Sequence, residues 1–163
     1  MRLKDIILAP KSVTDWGAWR EGGKMPRTAF YLSKPRGRSY RLPSYRWRVV
    51  CFEALGKEFR LLIAYRTDKE QYRAVLAIDH GRDMAVLAQY EFHGTHPGWH
   101  VLATCDDVES APTGMMRHPW QRRIPKARGD HRKTAFRVAN DDHALAVASD
   151  AFRLHRQKGN LGL

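Results

Sequence analysis

The sequence predicts an α+β domain: a five-stranded antiparallel β-meander packed against a C-terminal helix, with a short N-terminal helix and long basic loops. Three observations lead there. Residues 47–105 hold successive alternating apolar and polar runs separated by short polar turns, the period-two pattern of strands that pair with their sequence neighbours. Residues 141–158 instead repeat apolar side chains at helical spacing behind Asn140, a good N-cap. Basic stretches without periodicity precede the first strand and separate the last strand from this helix.

The totals set the frame. A chain of 163 residues with 43% hydrophobic residues is long and apolar enough for one core, so residues 1–163 form a single basic α+β domain. Within it, 22–46 is a basic, aromatic-rich loop segment and 106–137 a long basic connection. The formal net charge of +12 favours a polyanionic partner, nucleic acid above all. Arginine supplies most of the positive charge, and its planar fork pairs with phosphate and stacks on bases. RNA is therefore expected before DNA. No apolar run approaches the ~20 residues of a spanning helix, so no membrane partner is expected. Cys51 and Cys105 are too few and too far apart for a disulfide framework, and a cytoplasmic protein with reduced thiols follows.

In chain order, Asp5–Leu8 reads as an edge strand that Pro10 ends. Thr14 and Asp15 offer N-caps to a short helix with Trp16 and Trp19 on one face, stopped by Gly22-Gly23. From Gly22 to Phe52 no acidic residue occurs, while Arg36, Arg38, Arg41, Arg46 and Arg48 interleave with Phe30, Tyr31, Tyr40, Tyr45 and Trp47. Charge for phosphates beside flat rings for bases suits a single-stranded or looped nucleic acid. A plain solvated basic face is the alternative. The five strands follow, one sheet face apolar under helix and the other mixed. The 106–137 connection contributes Arg117, Arg122, Arg123, Lys126 and Arg128, a second basic element expected to act as a lid or phosphate clamp. The C-terminal helix carries Asp141 and Asp142 in its first turn and an apolar stripe of Ala144, Val147, Ala148, Ala151 and Phe152. Basic residues from Arg153 to Lys158 lie near its end, and Gly159 terminates it.

The chemistry concentrates in the hairpin around His93, His96 and His100. A loop between His93 and His100 would set two imidazoles side by side, and an unperturbed imidazole titrates near about 6.5, so one ring can serve as base and another as acid. Metal-independent RNA cleavage needs that pair: a base for the ribose 2′-hydroxyl, an acid for the 5′-oxygen, and a cation for the phosphorane. Glu91, two residues before His93, shares its strand face and would orient the ring or act as base itself. Arg122 is the cation assigned, with Arg60, Arg66, Arg73, Arg117 and Arg123 also in reach by sequence. The bland alternative is a turn whose histidines bond backbone carbonyls. Zinc held by His93, His96, His100 and Cys105 is a further one, although the spacing matches no standard finger. Asp106 and Asp107 with Glu91 are a weak Mg²⁺ set. No metal and no organic cofactor is assigned.

Phosphate-loop, dinucleotide-binding, serine-hydrolase and zincin motifs are all missing. The order of elements resembles, in architecture, the small basic ribonucleases and toxin RNases built on a helix-backed antiparallel sheet. The resemblance implies an RNA-directed, metal-independent endoribonuclease and carries over no residue. An unguarded nuclease would need a protein inhibitor as partner. The alternatives are a non-catalytic nucleic-acid-binding or assembly protein and a small zinc-stabilised module.

Overall fold

Strong alternation from Trp47 onwards builds the centre of the molecule. In a computed structural model that describes residues 1–34, 42–93, 96–124 and 135–154, with His96 and Pro97 as backbone only, this region forms the long strands. These are β3 (Arg46–Ala54), β4 (Lys57–Arg66), β5 (Gln71–Asp79), β6 (Met84–His93) and β7 (His96–Thr104), each antiparallel to the next. The β3–β4 turn is Leu55-Gly56, both at positive φ, as the two-residue turn of a twisted hairpin requires.

The sheet is larger than the expected five strands. Before β3 come β1 (Ser12–Asp15) and β2 (Arg20–Glu21), and after β7 comes β8 (Gln121–Ile124). The order is β1-β3-β4-β5-β6-β7-β8, with β2 also paired to β3. These added strands are short and mostly polar. Their pairing comes from the open backbone edges of β3 and β7 rather than from a period of their own.

Both N-terminal elements differ from expectation. Leu3–Leu8 is a helix, α1, not an edge strand: Asp5 Oδ2 accepts the Arg2 backbone N–H at 3.0 Å, and Ile6 is wholly buried. No helix carries Trp16 and Trp19. Arg48 donates to the Trp16 and Gly17 carbonyls at 2.9 and 2.8 Å and lies over the Trp19 ring. Gly17, at φ +62°, passes so close to the Val49 carbonyl that a Cβ would collide with it. Those contacts hold the stretch against β3 as an irregular segment and not a helix. Both indoles still pack on the core, Trp19 edge-on to Tyr65 at 5.5 Å.

The C-terminal helix α2 (Asp141–Phe152) starts as expected, with Asn140 Oδ1 accepting the His143 N–H at 2.9 Å. It stops earlier. Arg153 takes the left-handed conformation and Leu154 N–H bonds back to Ser149 O, so buried Leu154 closes the helix instead of Gly159. His155, Arg156, Lys158 and Gly159 lie outside the described residues.

Both sheet faces are covered, so the second is not half-exposed. Val50, Phe52, Phe59, Leu61, Ile63, Leu76 and Ile78 pack beneath α1, α2 and the turn at Val108–Ser110. On the other face Trp47, Val49, Leu62, Ala64, Val75, Ala77 and Val86 meet Met25, Phe30, Leu32 and Leu42. The aromatic-rich loop thus contributes core: Phe30 and Trp47 are buried and unavailable for base stacking. Among the described residues no helix is long and apolar enough to cross a membrane.

α2 is tied to the sheet at two points. Tyr72 donates its buried hydroxyl to Ala144 O at 2.8 Å. Asp141 accepts Arg46 Nε and Nη2 at 2.7 and 2.6 Å and also the Tyr65 hydroxyl. Burial and that bond to Asp141 push the Tyr65 phenol up to about 12. Asp141→Ala should cost about 1–2 kcal/mol in urea unfolding, because the pair is charge-assisted and bidentate but partly solvated. No change in midpoint would mean that α2 is held by Tyr72 and apolar packing alone.

Candidate active site

Three neighbouring strands whose apolar alternation is interrupted by polar residues supply the site. Arg73 on β5 and Gln89 and Glu91 on β6 fall on one face, and registry sets Arg73 opposite Glu91 and Glu91 opposite His100 of β7. The register slips between Phe92 and His93, so His93 pairs with His96, and its ring packs diagonally against that of His100 with centroids 5.3 Å apart. The structure therefore brings Glu91, His93 and His100 together.

Glu91 is the hub. Its side chain is 0% exposed. His93 Nε2 lies 3.0 Å and His100 Nε2 3.3 Å from its Oε2, Arg73 Nε lies 3.1 Å from Oε1, and Arg117 Nη2 approaches Oε2 at 3.5 Å. Burial pushes the carboxyl up, but the bonds to His100 and His93 and the charge of Arg73 outweigh it and hold Glu91 well below the usual carboxylate range. A carboxylate so firmly ionised and so enclosed is a poor general base. It acts as an orienter: each neutral ring that donates its Nε2–H to Glu91 keeps its lone pair on Nδ1.

Exposure separates the members. His93 is 23% and Arg117 63% exposed at the side chain, whereas His100 is buried. With both rings neutral, one carboxylate faces two guanidiniums and the cluster carries net positive charge, the balance an anionic phosphodiester would meet.

The same donors could hold a metal, since ligating atoms of Glu91, His93 and His100 lie within 4.8 Å of one another. A divalent cation would have to displace the ring contacts from Glu91 and sit beside both guanidiniums, so anion binding suits the charge better. Cys105 does not join the histidines: it follows the far end of β7, exposed, its thiol 3.6 Å from Ala103 O. Asp107 there is engaged with the N-terminal amine at 2.7 Å.

The remaining residues named from sequence scatter. Arg122 pairs with Ala103 and so points to the opposite face from His100. Its neighbour Arg123 pairs with Leu102 on the histidine side. Arg46 and Arg48 serve as the latches described above. Arg36, Arg38, Tyr40, Arg41, Lys126 and Arg128 lie outside the described residues. Arg73 is one of the six arginines in reach by sequence and is the one registry sets against Glu91, while Gln89 is not singled out there. The signal that singles out both is the polar alternation of Gln71-x-Arg73 and Gln89-x-Glu91-x-His93 inside otherwise apolar strands.

Two cavities flank α2. A polar one of about 840 Å³ is lined by Arg46, Tyr65 and Asp141, and an apolar one of about 500 Å³ by Ile7, Tyr90 and Phe152. Neither reaches Glu91. Comparison with protein families, with curated proteins and with solved structures gives no match, so the chemistry of this site is read from its own geometry.

Proposed function

We propose that this protein is a nucleic-acid-directed enzyme, a metal-independent endoribonuclease of toxin-like character acting in the cytoplasm. The observation that carries the reading is the pair of imidazoles set on one buried carboxylate between two guanidiniums. In the proposed reaction the Nδ1 lone pair of His93, the more exposed ring, removes the proton of a ribose 2′-hydroxyl. The freed oxygen attacks the adjacent phosphorus, Arg117 faces the charge that builds on the phosphorane, and the 5′-oxygen departs with a proton from doubly protonated His100. The products are a 2′,3′-cyclic phosphate and a free 5′-hydroxyl. Glu91 positions both rings without touching the substrate.

The net charge of +12 supports a polyanionic substrate, and the free thiols of Cys51 and Cys105 accord with a reducing compartment. End-labelled RNA incubated with the purified protein, with and without EDTA, tests the reading. Cleavage insensitive to EDTA, ending in cyclic phosphate and absent on a 2′-deoxy substrate, is the expected result. Binding of RNA without cleavage would leave a nucleic-acid-binding protein, and cleavage abolished by EDTA would assign Glu91, His93 and His100 to a metal instead.

A further inference from the structure

A second basic recess opens on the sheet face that bears Glu91, at the far end of β5. Side chains alternate along a strand, so Arg73, Val75, Ala77 and Asp79 share this face, and Arg60, which pairs with Ala77, lies on it too. Arg73 and Asp79 are six positions apart, a span of about 20 Å at strand spacing. Between them Val75 and Ala77 lie beneath Met25, Phe30 and Leu32. Beyond that cover is a cavity of about 360 Å³ whose lining includes Arg27, Tyr31, Arg60, Asp79, Arg82 and Asp83.

The carboxylates of the recess are engaged from within. Asp79 accepts Arg60 Nε and the Gly81 N–H, both at 2.8 Å. Asp83 accepts the Ser33 N–H at 3.1 Å, the Met84 N–H at 2.9 Å and the Ser33 hydroxyl. Arg60 is engaged as well, since its Nη1 donates to the Thr28 and Ala29 carbonyls and ties that turn to β4. Arg27 and Arg82 remain. Both are exposed, and among the described residues neither has a carboxylate partner.

Both are carried on well-held backbone. Arg27 lies over the Tyr31 ring at 5.2 Å, and that ring packs on the core. Arg82 belongs to the β5–β6 turn, which the His80 N–H closes onto Asp83 O at 3.0 Å. Two guanidiniums at a recess whose acids are already satisfied suit a phosphate group and repel a cation.

We infer that this recess is a second phosphate-binding site, taking a backbone phosphodiester of the same RNA strand whose scissile bond lies at Glu91 and His93. The inference rests on the nucleic-acid reading above and adds the course of the strand across the covered face. A phosphate contact carries no base information. It fixes the register of the strand and favours substrates long enough to reach both places. A dinucleotide meets only the Glu91 site, whereas a longer single strand held at one site is presented to the other at high effective concentration.

Fluorescence anisotropy with a labelled dinucleotide and a labelled decamer, both 2′-O-methylated against cleavage, tests this on the full chain. Arg27→Ala and Arg82→Ala should each weaken the decamer about fivefold and leave the dinucleotide unchanged. Each should also reduce the slope of log affinity against log salt by about 0.7, the value of one single-strand phosphate contact. Lys4→Ala, which removes an exposed charge from α1 on the opposite face, should change neither ligand. With cleavable decamer the arginine variants should raise KM and keep kcat. Decamer affinity and salt slope equal to the wild type in both arginine variants would overturn the site, as would equal losses for dinucleotide and decamer or the same loss in Lys4→Ala. The predicted length effect without cleavage by any form would support the site and retire the endoribonuclease reading. Failure of the decamer to bind the wild type would overturn both.

Discussion

Glu91→Ala should destabilise the protein by about 3–5 kcal/mol, since removing one partner of a buried ionic cluster strands the others. Arg73 would lose its ion-pair partner, the two Nε2 atoms within 3.3 Å of Oε2 would lose their hydrogen-bond partner, and His100 has no solvent to turn to. Domains of this size are stable by about 5–15 kcal/mol, so the loss is a large share of the total. Denaturant unfolding at neutral pH measures it. The pH dependence follows from the direction of the shift. Glu91 titrates lower in the folded protein than its ordinary value of 4.5, so its contribution is complete above that pH and is lost as pH falls towards the folded value. The wild type should therefore weaken progressively below pH 4.5, and Glu91→Gln should lack that component of the slope. A loss under about 1 kcal/mol, with an unchanged acid slope, would mean that the arginines and histidines are held by packing and not by this carboxylate.

His93→Ala should lower RNA cleavage by about 10²–10⁴-fold, the usual contribution of a positioned general base or acid. RNA affinity should stay near that of the wild type, because Arg73 and Arg117 still supply the charge. His93 is the informative position: its partly exposed ring can be removed with little loss of core, whereas His100 is buried and its replacement mixes stability with rate. His93→Gln, which can still donate to Glu91 but offers no basic nitrogen, should be as inactive as the alanine variant. Cleavage at the wild-type rate in either would remove the imidazole from the mechanism.

What could be read from the chain was decided by range. The long strands from Arg46 to Thr104 announce themselves by alternation, and α2 by Asn140 and its apolar stripe, because these patterns are local. Ser12–Asp15, Arg20–Glu21 and Gln121–Ile124 are too short to carry a period, and only the exposed edges of β3 and β7 make strands of them. Thr14 and Asp15 are sound caps in isolation, yet they lie in β1, and the Arg48 bonds to Trp16 and Gly17 hold the next residues irregular against β3.

The site divides in the same way. The sequence by itself put Glu91 and His93 on one strand and His100 on the next, by parity and a local hairpin. The expected pairing of His93 with His100 across a six-residue loop is not the register found: β7 begins at His96, Glu91 faces His100 and His93 faces His96. The sequence also determined the excess positive charge. Only the tertiary structure decided that Arg73 and Arg117 are the guanidiniums at Glu91 and that Arg122 faces away while Arg123 does not. Cross-strand register and the path of the 114–118 segment set those pairings, and a shift of one residue in either would turn every such side chain to the other face of the sheet.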